Sequence, residues 1–273
     1  MIDILKAILF GIVEGITEWL PVSSTGHLIL LNRFITLSDN QAFLDMFNVV
    51  IQLGAILAVI VLFFRRLNPF SPGKTETEKK NTWNLWFKVV VSVIPSAVLG
   101  IVFGGFLTDD PYIVSAALLV YGVAFLFVER WNRRRSFAIT AVEDIDYRTA
   151  LLIGAFQCLS LIPGTSRSGS TILGAILLGV SRTAGAEFSF FMAMPTMVGA
   201  SALEILGFLK DGGVMTGTEI AILLTGCVVS FLVSLLVIRS LMAFVRRRSF
   251  AVFGVYRILL AVVLLLYFTL SGV

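Results

Sequence analysis

Six runs of mostly apolar residues constrain this chain more than any other feature. Each has about the 20-residue length that carries a helix across a bilayer. They cover roughly 46–64, 85–107, 112–129, 184–209, 216–238 and 250–271. Lys88, Pro95, Glu187, Pro195 and Glu204 interrupt them without ending their apolar character. Only 14% of residues are charged and 58% are hydrophobic, where a soluble domain carries about 25% charged residues. The chain therefore reads as an all-α, multi-pass integral membrane protein with a single membrane domain. Cys158 and Cys227 stand alone in apolar segments, which indicates neither a zinc site nor a structural disulfide. The first apolar run contains Asp3 and Lys6 and leads into Glu14, unlike a cleavable signal peptide.

Two further apolar regions, 2–32 and 147–180, are broken by "PVSSTG" and "PGTSRSGS". Irregular backbone of this kind is not stable against lipid, because its amides and carbonyls would lack partners. The net charge of +4 resides in loop clusters, so it reports orientation rather than nucleic-acid binding. Arg65 and Arg66, then Arg130, Arg133, Arg134 and Arg135, then Arg239, Arg246, Arg247 and Arg248 follow the first, third and fifth runs. The connections at 108–111 and 210–217 are poor in Lys and Arg. Basic loops stay cytoplasmic, which places 65–84, 130–146 and 239–249 inside and 108–111 and 210–217 outside. Segment 147–180 then starts and ends on the cytoplasmic side and is expected to be a re-entrant helix hairpin.

The two broken regions align without gaps. Setting 11–30 against 154–173 pairs Gly11 with Gly154, Glu14 with Gln157, Thr17 with Ser160, Ser23 with Ser166, Thr25 with Ser168 and Gly26 with Gly169. Each half reads as a re-entrant hairpin followed by three spans. Repeat 1 covers 1–130, with its hairpin at 2–32. Repeat 2 covers 147–273, with its hairpin at 147–180. Three spans is an odd number, so the repeats have inverted topology and their hairpins meet inside the membrane.

The first hairpin, "EGITEWLPVSSTGH" (14–27), carries Glu14, Glu18 and the only histidine, His27. Glu14 and Glu18 share a helix face, and Ser23 or Ser24 is placed to cap a second helix. Snorkelling glutamates and a core histidine are the plain alternative. Ionisable groups at membrane depth are costly and usually functional. The second hairpin, "PGTSRSGST" (163–171), sets Thr165, Ser166, Ser168, Ser170 and Thr171 around Arg167. Free amides at a helix start and an arginine fork suit a phosphate; an arginine paired to a glutamate for assembly alone is the rival. Two carboxylates suit a hard divalent cation, Mg²⁺ or Ca²⁺, bridging to phosphate oxygens. A phosphate site at this depth implies a substrate with a lipid tail.

These motifs resemble the two signatures of bacterial undecaprenyl-diphosphate phosphatases of the bacitracin-resistance type: paired acids before Pro-x-Ser-Ser-x-Gly-His, and Pro-Gly-x-Ser-Arg-Ser-x-x-Thr. The resemblance spans essentially the whole chain, including "VVIQLGAILAVIV" (49–61), "GVSRTAGAEFSFFMAMP" (179–195) and "YRILLA" (256–261). It implies a plasma-membrane enzyme that converts undecaprenyl diphosphate to undecaprenyl phosphate and inorganic phosphate. That reaction recycles a cell-wall lipid carrier and confers bacitracin resistance. It also implies a site open to the extracytoplasmic side. Carried over by position, Glu14, Glu18, Ser24, His27 and Arg167 form the catalytic core. Ser23, Thr25, Ser166, Ser168 and Thr171 grip the diphosphate beside Arg167. Glu14 and Glu18 are the metal candidates. Gln157 and Glu187 are outer partners, Glu187 either of Arg167 or of the interface. His27, oriented by Glu18 or Glu14, is the expected base. The attacker is left open among Ser24, His27 and water. Expected partners are the polyprenyl diphosphate and membrane lipid, with a homodimer allowed and no nucleic acid. A transporter or flippase of a lipid phosphate is the main rival, and a non-catalytic scaffold a weaker one.

Overall fold

The computed structural model describes residues 2–103, 110–133 and 136–271. The expected end of the second span at 104–107, the connection at 108 and 109, and Arg134 and Arg135 lie outside the described residues. The first hairpin is α1 (Ile2–Thr17) and α2 (Ser24–Phe34). The first crossing is α3 (Gln41–Val50) and α4 (Gln52–Leu62), interrupted at Ile51, and the short α5 (Phe64–Leu67) follows it. Next come α6 (Glu76–Phe103) and α7 (Pro111–Asn132). The second hairpin is α8 (Tyr147–Cys158) and α9 (Arg167–Leu177), and α10 (Arg182–Lys210), α11 (Gly217–Val245) and α12 (Ala251–Ser271) complete the chain. Among the described residues six segments are long and apolar enough to cross a membrane, in the places the sequence indicates. Pro95 lies inside α6 and Pro195 inside α10.

Three boundaries differ from the sequence reading: two helix starts, and the end of α11, which runs to Val245 rather than 238 and takes in most of the expected loop at 239–249. The first crossing starts at Gln41, where the Asn40 side chain accepts the Phe43 amide, so the cap extends the helix ahead of its apolar part. α6 starts at Glu76, because a polar turn precedes the apolar stretch. Elsewhere the starts follow side-chain caps: Asp110, Asp146, Ser181 and Thr216 each accept an amide of the first turn, and Glu219 completes a capping box with Thr216.

Pairwise packing exchanges under a swap of the halves. α1 lies along α11, and its counterpart α8 lies along α6; α7 and α12 pack on each other. The approaches are backbone-close at equivalent glycines. A Cβ on Gly11 would stand 2.7 Å from the Gly226 carbonyl oxygen, and one on Gly154 would stand 1.9 Å from that of Ser92. Small residues let membrane helices meet in this way.

The hairpins enter from opposite ends of the molecule. The open end of the first lies beside 36–40 and 216–219: Lys6 donates to the Thr36 carbonyl, and Asn40 donates to Glu219. The open end of the second lies beside 84–88 and 139–146: Tyr147 donates to Asn84, Lys88 to the Glu143 carbonyl, and Ser181 to the Thr140 carbonyl. Arg66, paired with Glu143, sits at that second end.

Candidate active site

The two hairpin tips touch in the interior. Each turn ends in a serine with an unusual backbone, Ser23 at φ 73° and Ser166 at φ 70°. Each hydroxyl accepts the amide three residues on, Gly26 at 3.3 Å and Gly169 at 3.2 Å. A side-chain-bearing residue at positive φ is strained by about 1–3 kcal/mol and persists where the surroundings overdetermine it. Here the result is two capped helix starts, α2 and α9, each beginning directly after a hairpin turn.

Ionic contact joins the tips. Arg167 Nη2 donates to Glu18 Oε1 at 3.1 Å, and Arg167 Nη1 donates to the Ser189 carbonyl at 2.9 Å. The Ser168 hydroxyl donates across to the Glu18 carbonyl at 3.1 Å. On the other face of the same carboxylate, Ser24 Oγ donates to Glu18 Oε2 at 2.7 Å. One glutamate thus touches both a hydroxyl and a guanidinium. Arg167 also lies over the Trp19 ring, 6.0 Å from its centroid.

Buried polar atoms without protein partners concentrate here. They include both carboxyl oxygens of Glu14, Nε of Arg167, Oγ1 of Thr165 and Oε1 of Gln157. Burying an unsatisfied polar group costs about 1–3 kcal/mol each, so a cluster of them marks a place where something else supplies the partners. An unpaired guanidinium N–H accommodates an anion. An unpaired carboxylate accommodates a cation. Among the described residues no three His, Cys, Asp or Glu side chains are grouped to hold a metal. Two carboxylates with phosphate and water oxygens completing the shell are what Mg²⁺ accepts, so the donor set fits a divalent ion.

A cavity of about 600 Å³ touches this centre through Ser24; Thr25, Asn32, Asn48, Gln52 and Glu204 also line it. The amide oxygens of Asn32 and Asn48 are buried and unpartnered. Gln41 and Arg33 line its outer part, so the cavity leads to the end of the molecule that carries 36–40 and 216–219.

Model profiles and relatives agree on the lineage. The profile described as bacitracin resistance protein BacA matches residues 7–263. The chain belongs to the bacitracin resistance protein BacA family. It is 53% identical to the undecaprenyl-diphosphatase of Lactiplantibacillus plantarum over 99% of both chains. The undecaprenyl-diphosphatase of Enterococcus faecalis is 52% identical over 97% of this chain and 98% of the relative, and that of Streptococcus thermophilus is 52% identical over 98% and 94%. The resemblance read from the two motifs is thereby borne out.

Individual residues fall into place unevenly. Glu14, Glu18, Ser24 and Arg167 converge on the hairpin tips. Ser23 and Ser166 are caps. Thr171 Oγ1 is engaged with the Arg167 carbonyl and the Ser189 hydroxyl. Gln157 donates to Ser96 at 2.6 Å and to Thr196. Of the two alternatives for Glu187 the structure favours the interfacial one: it pairs with Arg66 at 2.6 Å rather than with Arg167, because α10 turns that carboxylate toward the basic end. One expectation is corrected. His27 is oriented by neither glutamate: Nδ1 lies 2.7 Å from the Ser23 carbonyl and Nε2 lies 2.6 Å from the Tyr256 hydroxyl. The first helical turn of α2 brings Nδ1 back onto its own cap residue. Tyr256 and Arg257 escaped notice in the sequence. They sit in an apolar helix far along the chain, and "YRILLA" carries no periodic mark of a site.

Proposed function

We propose that this membrane enzyme hydrolyses undecaprenyl diphosphate to undecaprenyl phosphate and inorganic phosphate, and so confers bacitracin resistance. The observation that carries the reading is the Ser24–Glu18–Arg167 chain, buried where two broken hairpins of a membrane protein meet. Nucleophile, base and anion grip stand in hydrogen-bonding succession. Full-length likeness to undecaprenyl-diphosphatases supports the lipid substrate.

The residues suggest the following course. Arg167, through Nε and its remaining N–H groups, and the free amides of α9 hold the phosphate oxygens. Ser24 Oγ attacks the terminal phosphorus while Glu18 takes its proton. The bond from that phosphorus to the bridging oxygen breaks, and undecaprenyl phosphate departs as a stable anion. Water then cleaves the serine phosphate. His27 Nε2 takes the water's proton as the Tyr256 hydroxyl turns from donor to acceptor, and Glu18 returns the proton to Ser24 as inorganic phosphate leaves. What favours Ser24 over His27 as attacker is its 2.7 Å bond to Glu18, a carboxylate placed to take its proton. Glu14 and Glu18 would hold a divalent cation, which supplies charge neutralisation for the phosphates.

Orientation follows from charge. The cavity opens at the end opposite Arg66 and its acidic partners, and basic loops mark the cytoplasmic face. We therefore assign the site to the extracytoplasmic side and the two halves to an inverted repeat. The test is phosphate release from a prenyl diphosphate by purified protein in detergent, beside Ser24→Ala. Release by the wild type and a loss of at least about 100-fold in the variant are expected, the scale of removing a nucleophile. A folded wild type that releases nothing would leave a lipid-phosphate transporter as the better account. Near-normal release by Ser24→Ala would remove the serine step.

A further inference from the structure

Both ring nitrogens of His27 have partners, and one of those partners comes from the far end of the chain. Ser23 O is a carbonyl and only accepts, so the Nδ1 atom 2.7 Å away carries a proton. In the neutral ring Nε2 then holds a lone pair, and it accepts from the Tyr256 hydroxyl at 2.6 Å. The two rings lie parallel, 3° apart in plane with centroids at 5.7 Å. Tyr256 is 44% exposed, so nothing but this hydrogen bond requires its hydroxyl to point inward.

The next residue explains why Tyr256 stands there. Arg257 is completely buried. Its Nη1 donates to the Pro21 carbonyl at 3.2 Å, and its Nη2 donates to the Gly164 and Thr165 carbonyls, each at 2.9 Å. Pro21 belongs to the first hairpin tip, and Gly164 and Thr165 to the second. The guanidinium also lies over the Tyr121 ring at 5.4 Å. A planar fork has the fixed geometry to bridge several acceptors. One side chain therefore pins the register of α12 against both tips at once, and that register delivers Tyr256 to His27.

We propose that Tyr256 is a positioning residue for His27: held in register by Arg257, it fixes the imidazole plane and tautomer, with Nδ1 protonated and Nε2 unprotonated and accepting from the Tyr256 hydroxyl. The proposal rests on the phosphatase reading for its catalytic consequence, though the contact itself does not. Tyr256 acts through the histidine and makes no bond to the reacting phosphorus.

The chain has one histidine, so ring ¹⁵N labelling gives a single imidazole spectrum. Tyr256→Phe deletes one hydroxyl and keeps the ring stacked, and Tyr267→Phe on the same helix serves as control. Wild type is expected to show a protonated Nδ1 and a hydrogen-bonded Nε2. Tyr256→Phe is expected to move the Nε2 resonance, and Tyr267→Phe to leave it in place. In phosphate release, Tyr256→Phe is expected to lower kcat about 3- to 10-fold with KM within about twofold, the scale of one neutral hydrogen bond. An unchanged Nε2 resonance overturns the proposal. So does a moved resonance with unaltered kcat, because the contact would then position nothing that matters. A wild type that releases no phosphate refutes the phosphatase reading instead, while the nitrogen spectrum still decides the contact.

Discussion

Arg167 offers the sharpest test of the phosphate grip. A guanidinium carries five N–H donors in a fixed fork. Two are engaged, one with Glu18 and one with Ser189, which leaves three, and the Nε group among them is buried without a partner. Those three are the donors a phosphate can take without breaking the resting contacts. Arg167→Lys keeps the charge and removes the fork. A hydrogen bond to a charged group contributes about 1.5–3 kcal/mol. Losing two while keeping the charge costs about 3–6 kcal/mol of transition-state stabilisation, or about 150- to 25,000-fold in kcat/KM. Arg167→Ala is a poorer probe, since it strands the carboxylate of Glu18, which is 6% exposed, and breaking a buried pair costs about 3–5 kcal/mol of stability. The assay is phosphate release in detergent against substrate concentration, with size-exclusion profile and thermal melt recorded for each variant. A folded Arg167→Lys protein within about threefold of wild type would refute the view that free guanidinium donors bind the diphosphate.

Three other perturbations follow from the same geometry. Chelation by EDTA should abolish phosphate release. Glu14→Gln should raise the half-saturating Mg²⁺ or Ca²⁺ concentration at least about tenfold, the scale for weakening a metal site, and titration calorimetry of the metal gives a readout apart from turnover; full activity after stripping would refute the metal assignment. Gly154→Ala should destabilise by about 1–3 kcal/mol or more, because its Cβ meets the α6 backbone. Gly73→Ala, with open space around it, should leave the thermal melt unchanged. Ser166→Gly should match or exceed wild-type stability, because it relieves about 1–3 kcal/mol of strain and loses only a few tenths for the cap. Ser166→Ala keeps the strain and loses about 1 kcal/mol of cap, and an alanine variant more stable than the glycine one would contradict this reasoning.

Much of the fold was legible because it depends on local, periodic signals. Apolar runs announced the six spans. Proline, glycine and hydroxyl residues within two other apolar runs announced the hairpins, since such backbone has to be sheltered from lipid. A cap at Ser23 or Ser24 was readable for α2, whereas Ser166 was read as a phosphate grip and proves to be the cap of α9. What stayed illegible depends on contacts between distant segments. His27 and Tyr256 are 229 positions apart, and no spacing connects them. Glu187 was left open between Arg167, in the same half, and the interface. Its actual partner, Arg66, comes from the other half, at the basic end of the molecule. Arg257 was invisible for a different reason. A single arginine in a long apolar helix resembles an interfacial anchor until three carbonyls from two loops are seen around it.

The ungapped correspondence between the hairpins also explains how one site arises from two similar halves. Backbone features are shared: the serine caps, the glycine amides they accept, and the close helix approaches at Gly11 and Gly154. Chemistry is not shared. With the same offset, Glu14 corresponds to Gln157, Glu18 to Leu161, His27 to Ser170 and Ser24 to Arg167. Ser24 and Arg167, the proposed nucleophile and anion grip, occupy the same position of two equivalent turns, and both reach Glu18. Facing turns bring equivalent positions together, so a change in either copy alone creates a complementary pair across the join. Neither hairpin tip alone supplies the carboxylate, the hydroxyl and the arginine that meet at the site. The scaffold residues should therefore govern stability and the diverged residues turnover, and Tyr256 is informative because it lies outside both hairpins while touching the diverged set.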